Sequence, residues 1–537
     1  MKKAIRLIAL LLLLCMLPLG LLACGGDDDD DDTTKSNVDL SKVDPKWEGV
    51  DFSDVTLYIA MNKDVNQSVK DAGAGNALGY LKGPDDKGML SRSDYKAAYE
   101  RHELVCNVLG LKQGKNLVYT DIAWNGGPDE TLVVIQDFNA ANMTNTPNVI
   151  IHQNYGIVRG GILGEFYNAL DKEEENYFDF STSGWYLDMM KENTLDDEKI
   201  YMLMGDYFID QFRFAYGVLV NTAMIEDIMK YDGGMEGLYQ MVEDGEWTYD
   251  EMMNIASLGY KSADTGSELV MGAIGELSWT GRTFFASSGL DVFTKNPTTG
   301  AREYVADIGP IHDWMDRMIT MQNQDYFEHN WTGATALNTN RETAIKTFIN
   351  GGAVFAMDQH VLSFEGANIQ NMTDPASILP TPKYVPQNGV NDFNTNYKAL
   401  TSDHAGSGGI LISSDPTQFT AASAFIQLMT EESEEFFVQY YDVGLKHREN
   451  AAGLGHIAML DYIHNGVCSP MSFLYDNYCA KSCGDASVQT YSAMIQEMIN
   501  LKTNTYASAW NSMITVRTNR WAVINANFGT SNAAGAK

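Results

Sequence analysis

The sequence predicts an α/β protein built on a parallel sheet, and three observations carry that prediction. Short apolar runs at 55–60 (VTLYIA), 116–124 (NLVYTDIAW) and 148–152 (NVIIH) are rich in β-branched and aromatic residues, as strands are. Helix-spaced segments lie between them, and each run ends in a polar or glycine-rich turn. Strand, helix, strand alternation of this kind folds into parallel sheets.

Taken in order, the first strand leads into the polar loop 61–64. Tyr95, Ala98, Tyr99, His102, Val105, Cys106 and Leu109 then recur at helical spacing, and Gly110 follows where a helix cap is expected. The second strand ends in Asn125, Gly126, Gly127 and Pro128, a helix is expected over 129–139, and the third strand runs into Gln153, Asn154, Tyr155 and Gly156. Ligands of such sheets sit beyond the carboxyl ends of the strands. That rule selects the loops 62–64, 124–127 and 154–156, with Asn62 and Asp64 as polar groups and Trp124 and Tyr155 as rings.

Ahead of this body, Lys2, Lys3 and Arg6 precede an apolar run over 7–22 that stops at Ala23 and Cys24, followed by two glycines and six aspartates. A charged start, an apolar segment and small residues at a cut site mark an export signal, and the run has the wrong flanks for a membrane span. It resembles a bacterial lipoprotein signal peptide. The resemblance implies that residues 1–23 are removed and Cys24 is lipidated, placing the protein on the extracytoplasmic face of the cell membrane. Residues 24–46 are too poor in apolar groups to fold and read as an acidic tether, with the aspartates as a solvated spacer rather than a spaced calcium loop.

The chain has 537 residues, 71 acidic and 37 basic side chains, and a formal charge of −34, which becomes −37 without Lys2, Lys3 and Arg6. Such a polyanion repels phosphate backbones, so nucleic acid is not expected as a partner. Hydrophobic residues make up 45%, enough for a large core in two to four domains. With Cys15 cleaved and Cys24 lipidated, Cys106, Cys468, Cys479 and Cys483 remain. A disulfide among the last three is permitted outside the cytoplasm, with its pairing open. Cys479 and Cys483 with His464 fall short of a four-ligand zinc site, so neither metal nor another cofactor is expected.

Further along, several segments resemble one family in order. Residues 214–224 (FAYGVLVNTAM) and 245–252 (GEWTYDEM) form a strand ending in Asn and a Trp-Thr helix start, where Thr248 and Glu251 match a capping box. Residues 277–289 (LSWTGRTFFASSG), 347–357 (TFINGGAVFAM), 378–382, 408–412, 422–429 and 509–517 follow. Together they resemble the family 1 extracellular solute-binding proteins of ABC importers, the group containing maltose-binding protein. Two departures stand out: 358–364 (DQHVLSF) lacks the family's usual Trp after its Phe-x-x-Gly-x-Ala signature, and 65–87 is longer than in compact members.

The resemblance implies a periplasmic-binding-protein-like fold of type II, two α/β lobes joined by hinge crossings near 215–219, 379–382 and 410–414. Lobe 1 would comprise 47–216 plus 379–412, and lobe 2 would comprise 217–378 plus 413–537. It further implies a monomer that closes on a carbohydrate, an oligosaccharide given the extra length, and passes it to the permease subunits. Rings stack on the C–H faces of sugars, which makes Trp124 and Tyr155 candidates from the first lobe and Trp279, Phe364 and Trp510 from the second, with Trp331 in support. Asn62, Asp64, Asp358 and His360 are the expected hydroxyl contacts. No catalysis is expected, since no nucleophile elbow, His-Glu-x-x-His or phosphate loop occurs. A secreted glycan hydrolase, a binder of peptides or polyamines, and a sensor subunit are the alternatives.

Overall fold

The computed structural model describes residues 43–61, 77–122, 133–137, 146–171, 175–196, 199–263, 268–328, 341–365, 369, 372–386, 394–445, 453–475 and 489–528. The first apolar run forms β1 (Leu57–Met61), paired in parallel with β2 (Leu117–Asp121) and with β3 (Val149–Gln153). Every residue of β3 is buried, as a parallel strand covered on both faces requires. The helix Ser93–Val108 lies between β1 and β2, and Gly110 follows its cap at a φ of 70°. There a Cβ would meet the Asp51 carboxylate at 2.1 Å, so the position excludes a side chain sterically as well as conformationally. Of the helix expected over 129–139, only 133–137 is described, and it is helical.

A second sheet takes up the middle of the chain. Its strands are β4 (Tyr216–Asn221) and β5 (Met271–Ile274), then, after the hairpin β6 (Phe293–Lys295) and β7 (Arg302–Tyr304), β8 (Phe327–Glu328), β9 (Ala353–His360) and β10 (Ala376–Pro380). The order is β10-β4-β9-β5-β8; β5 runs parallel to its neighbours, whereas β4 is antiparallel to both of its own. Asn221 closes β4 and caps the helix Thr222–Ile228 by accepting from the Met224 amide at 3.1 Å. Of the box expected at Thr248 and Glu251, half is present: Thr248 accepts from the Glu251 amide at 3.3 Å.

The chain then makes β11 (Ala399–Leu400), β12 (Gly406–Ile410) and β13 (Val467–Cys468). β11 pairs with β13, while β12 joins the first sheet antiparallel to β3, giving the order β12-β3-β1-β2. The glycines of β12 have a steric cause. A Cβ on Gly406 would lie 2.4 Å from the Phe208 ring and one on Gly409 would lie 2.7 Å from Phe166, so at these two positions the strand passes as bare backbone.

Among the described residues two passes connect the sheets. The first is at 214–216, where Ala215 bridges Thr401 and the Phe214 carbonyl accepts from the Ser402 amide at 3.0 Å. The second, running back from β10 to β12, includes those same partners, so the two lie side by side. The π-helical turn Tyr440–Leu445 packs on Ser93–Val108, and the helix Gly453–Asn465 packs on β10. The helix Pro416–Glu431, begun by a reciprocal Asp415–Gln418 cap, packs on β1 and on Ser93–Val108. Its side therefore differs from the one that the expected boundary at 412 gave it, and 410–414 lies at the edge of the first sheet rather than between the sheets. The stretch 419–430 of that helix is buried throughout, consistent with an element covered on every face.

Candidate ligand-binding site

Where the passes meet, a group of rings and charged side chains converges from both sheets. β4 begins at Tyr216 and β9 ends at His360, and these two residues face each other in register. Their rings lie 4.3 Å apart, and Phe214 meets His360 at 5.2 Å. On the other side Tyr216 stacks on Trp279 at 5.3 Å with 30° between the planes. Tyr216 is fully buried and Trp279 half-buried, so the first supports a ring that solvent still reaches.

Trp279 and Arg282 share one face of the helix Leu277–Ser287, three residues apart. The guanidinium carbon of Arg282 stands 4.1 Å from the Trp279 ring centre and 4.8 Å from that of Phe473. Its Nη2 donates to Asp403 Oδ2 at 3.0 Å. Burial alone would raise the Asp403 carboxyl, but the Arg282 guanidinium, His404 and a hydrogen bond outweigh it and hold the group below its usual range. The His404 Nε2 lies 3.9 Å from Asp403, and its ring is edge-on to Tyr155 at 5.5 Å. Tyr155 stands in the first turn of the helix Asn154–Ile162, directly after β3, so 154–156 is a helix start rather than a loop. Neighbouring Asn154 exchanges two hydrogen bonds with Gln211, at 2.8 and 3.2 Å.

Beneath this floor lies a buried ionic network. Arg213, on the way to the first pass, makes a fork to Glu365 at 2.7 and 3.0 Å and reaches Asp210 at 3.4 Å. Tyr440, at the start of the π-helical turn, donates to Glu365, and the guanidinium lies 5.1 Å from the Tyr80 ring. Burial pushes the Asp210 carboxyl up to about 6, with Arg213 opposing and Glu365 adding to the rise. All three charged groups are almost fully buried, so the network ties the passes together through interactions that water does not screen.

The expected site residues divide into four groups. Tyr155 and Trp279 come to the floor and are partly open. Asp358 and His360 reach it from below: Asp358 is buried at a φ of 51° and accepts from the Glu276 amide at 3.1 Å, spending a carboxylate oxygen on the start of the Trp279 helix. Phe364 is 2% exposed in the turn Val361–Glu365 and packs in the core. Trp510 is also 2% exposed, stacked on Tyr506 at 5.8 Å and edge-on to Tyr304 at 5.5 Å. The helix Tyr506–Asn527 buries Tyr506, Trp510, Met513 and Arg517, a spacing of four, three and four that turns this stripe inward.

Asn62, Asp64, Trp124, Trp331 and Cys24 lie outside the described residues, as do Cys479 and Cys483. Cys106 and Cys468 are buried free thiols. Among the described residues no group of three or more His, Cys, Asp or Glu side chains is placed to hold a metal, and no helix is long and apolar enough to cross a membrane. Sequence reasoning did not single out Tyr216, Arg282, Asp403 or His404. The first two sit inside segments that carried the family resemblance, so their helix and strand positions were available; Asp403 and His404 occupy a turn with no motif at all.

No protein-family model matches the chain, and no curated protein sequence matches it. Solved structures do. A cyclo/maltodextrin-binding protein complexed with maltotetraose is similar at a TM-score of 0.50 and 11% identity, over 87% of this chain and 97% of its own. A family 1 extracellular solute-binding protein from Bifidobacterium longum subsp. infantis matches at 0.48 and 12%, over 87% and 99%. An ABC substrate-binding protein from Listeria monocytogenes in complex with cycloalternan matches at 0.48 and 13%, over 87% and 98%. At such identities the likeness is one of fold, and the chain has the two-lobed α/β fold of solute-binding proteins.

Proposed function

We propose that this protein is an extracytoplasmic solute-binding component of an ABC importer that captures a carbohydrate, an oligosaccharide by preference, on the floor between its two sheets. The observation that carries the reading is the half-buried Trp279, backed by Tyr216 and held beside the Arg282–Asp403 pair where both sheets contribute. A ring with charged planar partners suits a sugar, whose C–H face stacks and whose hydroxyls need donors and acceptors. The fold is shared with a protein whose structure holds maltotetraose. The same arrangement supports a binding role. Among the described residues, Asp403 is committed to a guanidinium and Asp358 to the Glu276 amide, whereas glycoside hydrolysis needs two carboxyl groups facing one bond.

Closure would operate by population shift, since a ligand touching both sides favours the form in which both are within reach. Delivery to permease subunits and anchoring through a lipid on Cys24 complete the proposal. Two experiments test it. Isotope-labelled saccharide uptake should fall when the protein is deleted and return with it, and the saccharide should be recovered uncleaved. Cys24→Ala should move the protein from the membrane fraction to the medium; retention on the membrane would remove the anchor from this account.

A further inference from the structure

Arg282 combines burial, ring contacts and an ion pair. It is 7% exposed, touches two rings and meets a carboxylate that is itself 7% exposed. Asp403 lies between β11, which packs on the Trp279 helix and on β4, and β12, which belongs to the first sheet. The contacts therefore form one chain: Trp279 to Arg282 at 4.1 Å, Arg282 to Asp403 at 3.0 Å, Asp403 to His404 at 3.9 Å, and His404 to Tyr155 at 5.5 Å. It begins on a second-lobe helix, passes through the crossing turn and ends on a first-lobe helix. Within it, Arg282 Nε and Asp403 Oδ1 are buried and meet no hydrogen-bond partner among the described residues. Buried polar atoms left so cost stability, so stability alone does not account for the pair.

We propose that Arg282 and Asp403 are positioning residues for the binding floor: the ion pair fixes the Trp279 ring over Tyr216 and, through the crossing turn, fixes His404 against Tyr155. The planar guanidinium is the group this needs, because it stacks on a ring and bonds a carboxylate in its own plane at the same time. A lysine would keep the charge and lose the stack. That the floor holds a ligand rests on the proposed function; that the pair positions Trp279 does not.

The test uses Arg282→Lys, Arg282→Met, Asp403→Asn and the Arg282→Met/Asp403→Asn double variant, each made also with Trp279→Phe so that subtraction isolates the Trp279 emission. The positioning role predicts that Asp403→Asn, which does not touch the ring, shifts the Trp279 spectrum in the same direction as Arg282→Met. It further predicts that the double variant shifts it no further than either single one. With maltotetraose as probe, Arg282→Met and Asp403→Asn should each bind about tenfold more weakly, the double variant no worse, and Arg282→Lys in between wild type and these. An unchanged Trp279 spectrum in Asp403→Asn, or effects that add, would overturn the proposal. If wild-type protein binds no saccharide, the carbohydrate reading fails while the spectra still decide the positioning role. Should the Met and Asn variants not fold, Arg282→Lys and Asp403→Glu carry the same spectral comparison.

Discussion

Two aromatic clusters in this molecule are built on different physics. Around Trp510, the rings of Tyr304, Tyr506, Phe293 and Trp521 pack on one another with centroids 4.4 to 6.1 Å apart, and the buried Arg517 is met by the Gln489 carbonyl. Around Trp279, rings alternate with ions: Tyr216 and His360 on one side, Arg282, Asp403 and His404 on the other, and the Arg213–Glu365–Asp210 network below. The first cluster excludes water from both faces of its tryptophan, whereas the second leaves its tryptophan partly open. A closed cluster of rings stabilises a fold; an open ring held by buried charge costs stability and gains a surface.

That contrast can be broken by mutation, with the largest effect expected below the floor. Arg213→Met leaves Glu365 and Asp210 buried without their cation and should lower unfolding free energy by about 3–5 kcal/mol in urea titration. A loss under 1 kcal/mol would mean that the network carries little of the connection between the passes. Trp510→Ala opens a cavity among rings and should also cost about 3–5 kcal/mol, yet leave saccharide affinity within about twofold. Trp279→Ala should do the reverse, weakening saccharide binding at least tenfold, or about 1.4 kcal/mol, with a smaller loss of stability.

The smallest expected effect is a slope with pH. The folded-state carboxyl of Asp210 titrates near 6, above the unfolded value of about 3.9, so the folded state takes up this proton first as pH falls and gains stability between about pH 6 and 4. His102 acts in the opposite sense. Burial and the nearby Arg101 lower it to about 3, so the unfolded state is protonated first and stability is lost as pH falls from about 6.5 toward 3. Asp210→Asn should therefore raise stability relative to wild type at pH 7, on the order of 1 kcal/mol, and the gain should shrink toward pH 4. A difference independent of pH would assign Asp210 a role other than titration.

How much of this was legible in the sequence depends on the range of the interactions. β1, β2 and β3, the helix Ser93–Val108 and the Asn221 cap follow from periodicity and local hydrogen bonding, which neighbours in the chain determine. Tyr155 and Trp279 are candidates from the strand-end rule and the family resemblance, and the fold leaves both partly open. Trp510 did not separate from Trp279, because both are tryptophans near helix starts and only the packing of β7 and its own helix decides which is covered. The side on which Pro416–Glu431 packs, and the pairing of Arg282 with Asp403 across 121 positions of chain, are equally matters of tertiary contact. No local pattern encodes them.

The central claim, that a saccharide binds at the charged floor and not elsewhere, is tested most directly by thermal unfolding of the wild-type, Trp279→Ala and Trp510→Ala proteins against a panel of oligosaccharides, peptides and polyamines. At a hundred times its dissociation constant one saccharide class should stabilise wild type by about 2.7 kcal/mol, stabilise Trp510→Ala equally, and leave Trp279→Ala unmoved at the same concentration. Stabilisation by a peptide or polyamine alone, or a saccharide response that survives in Trp279→Ala, would contradict it.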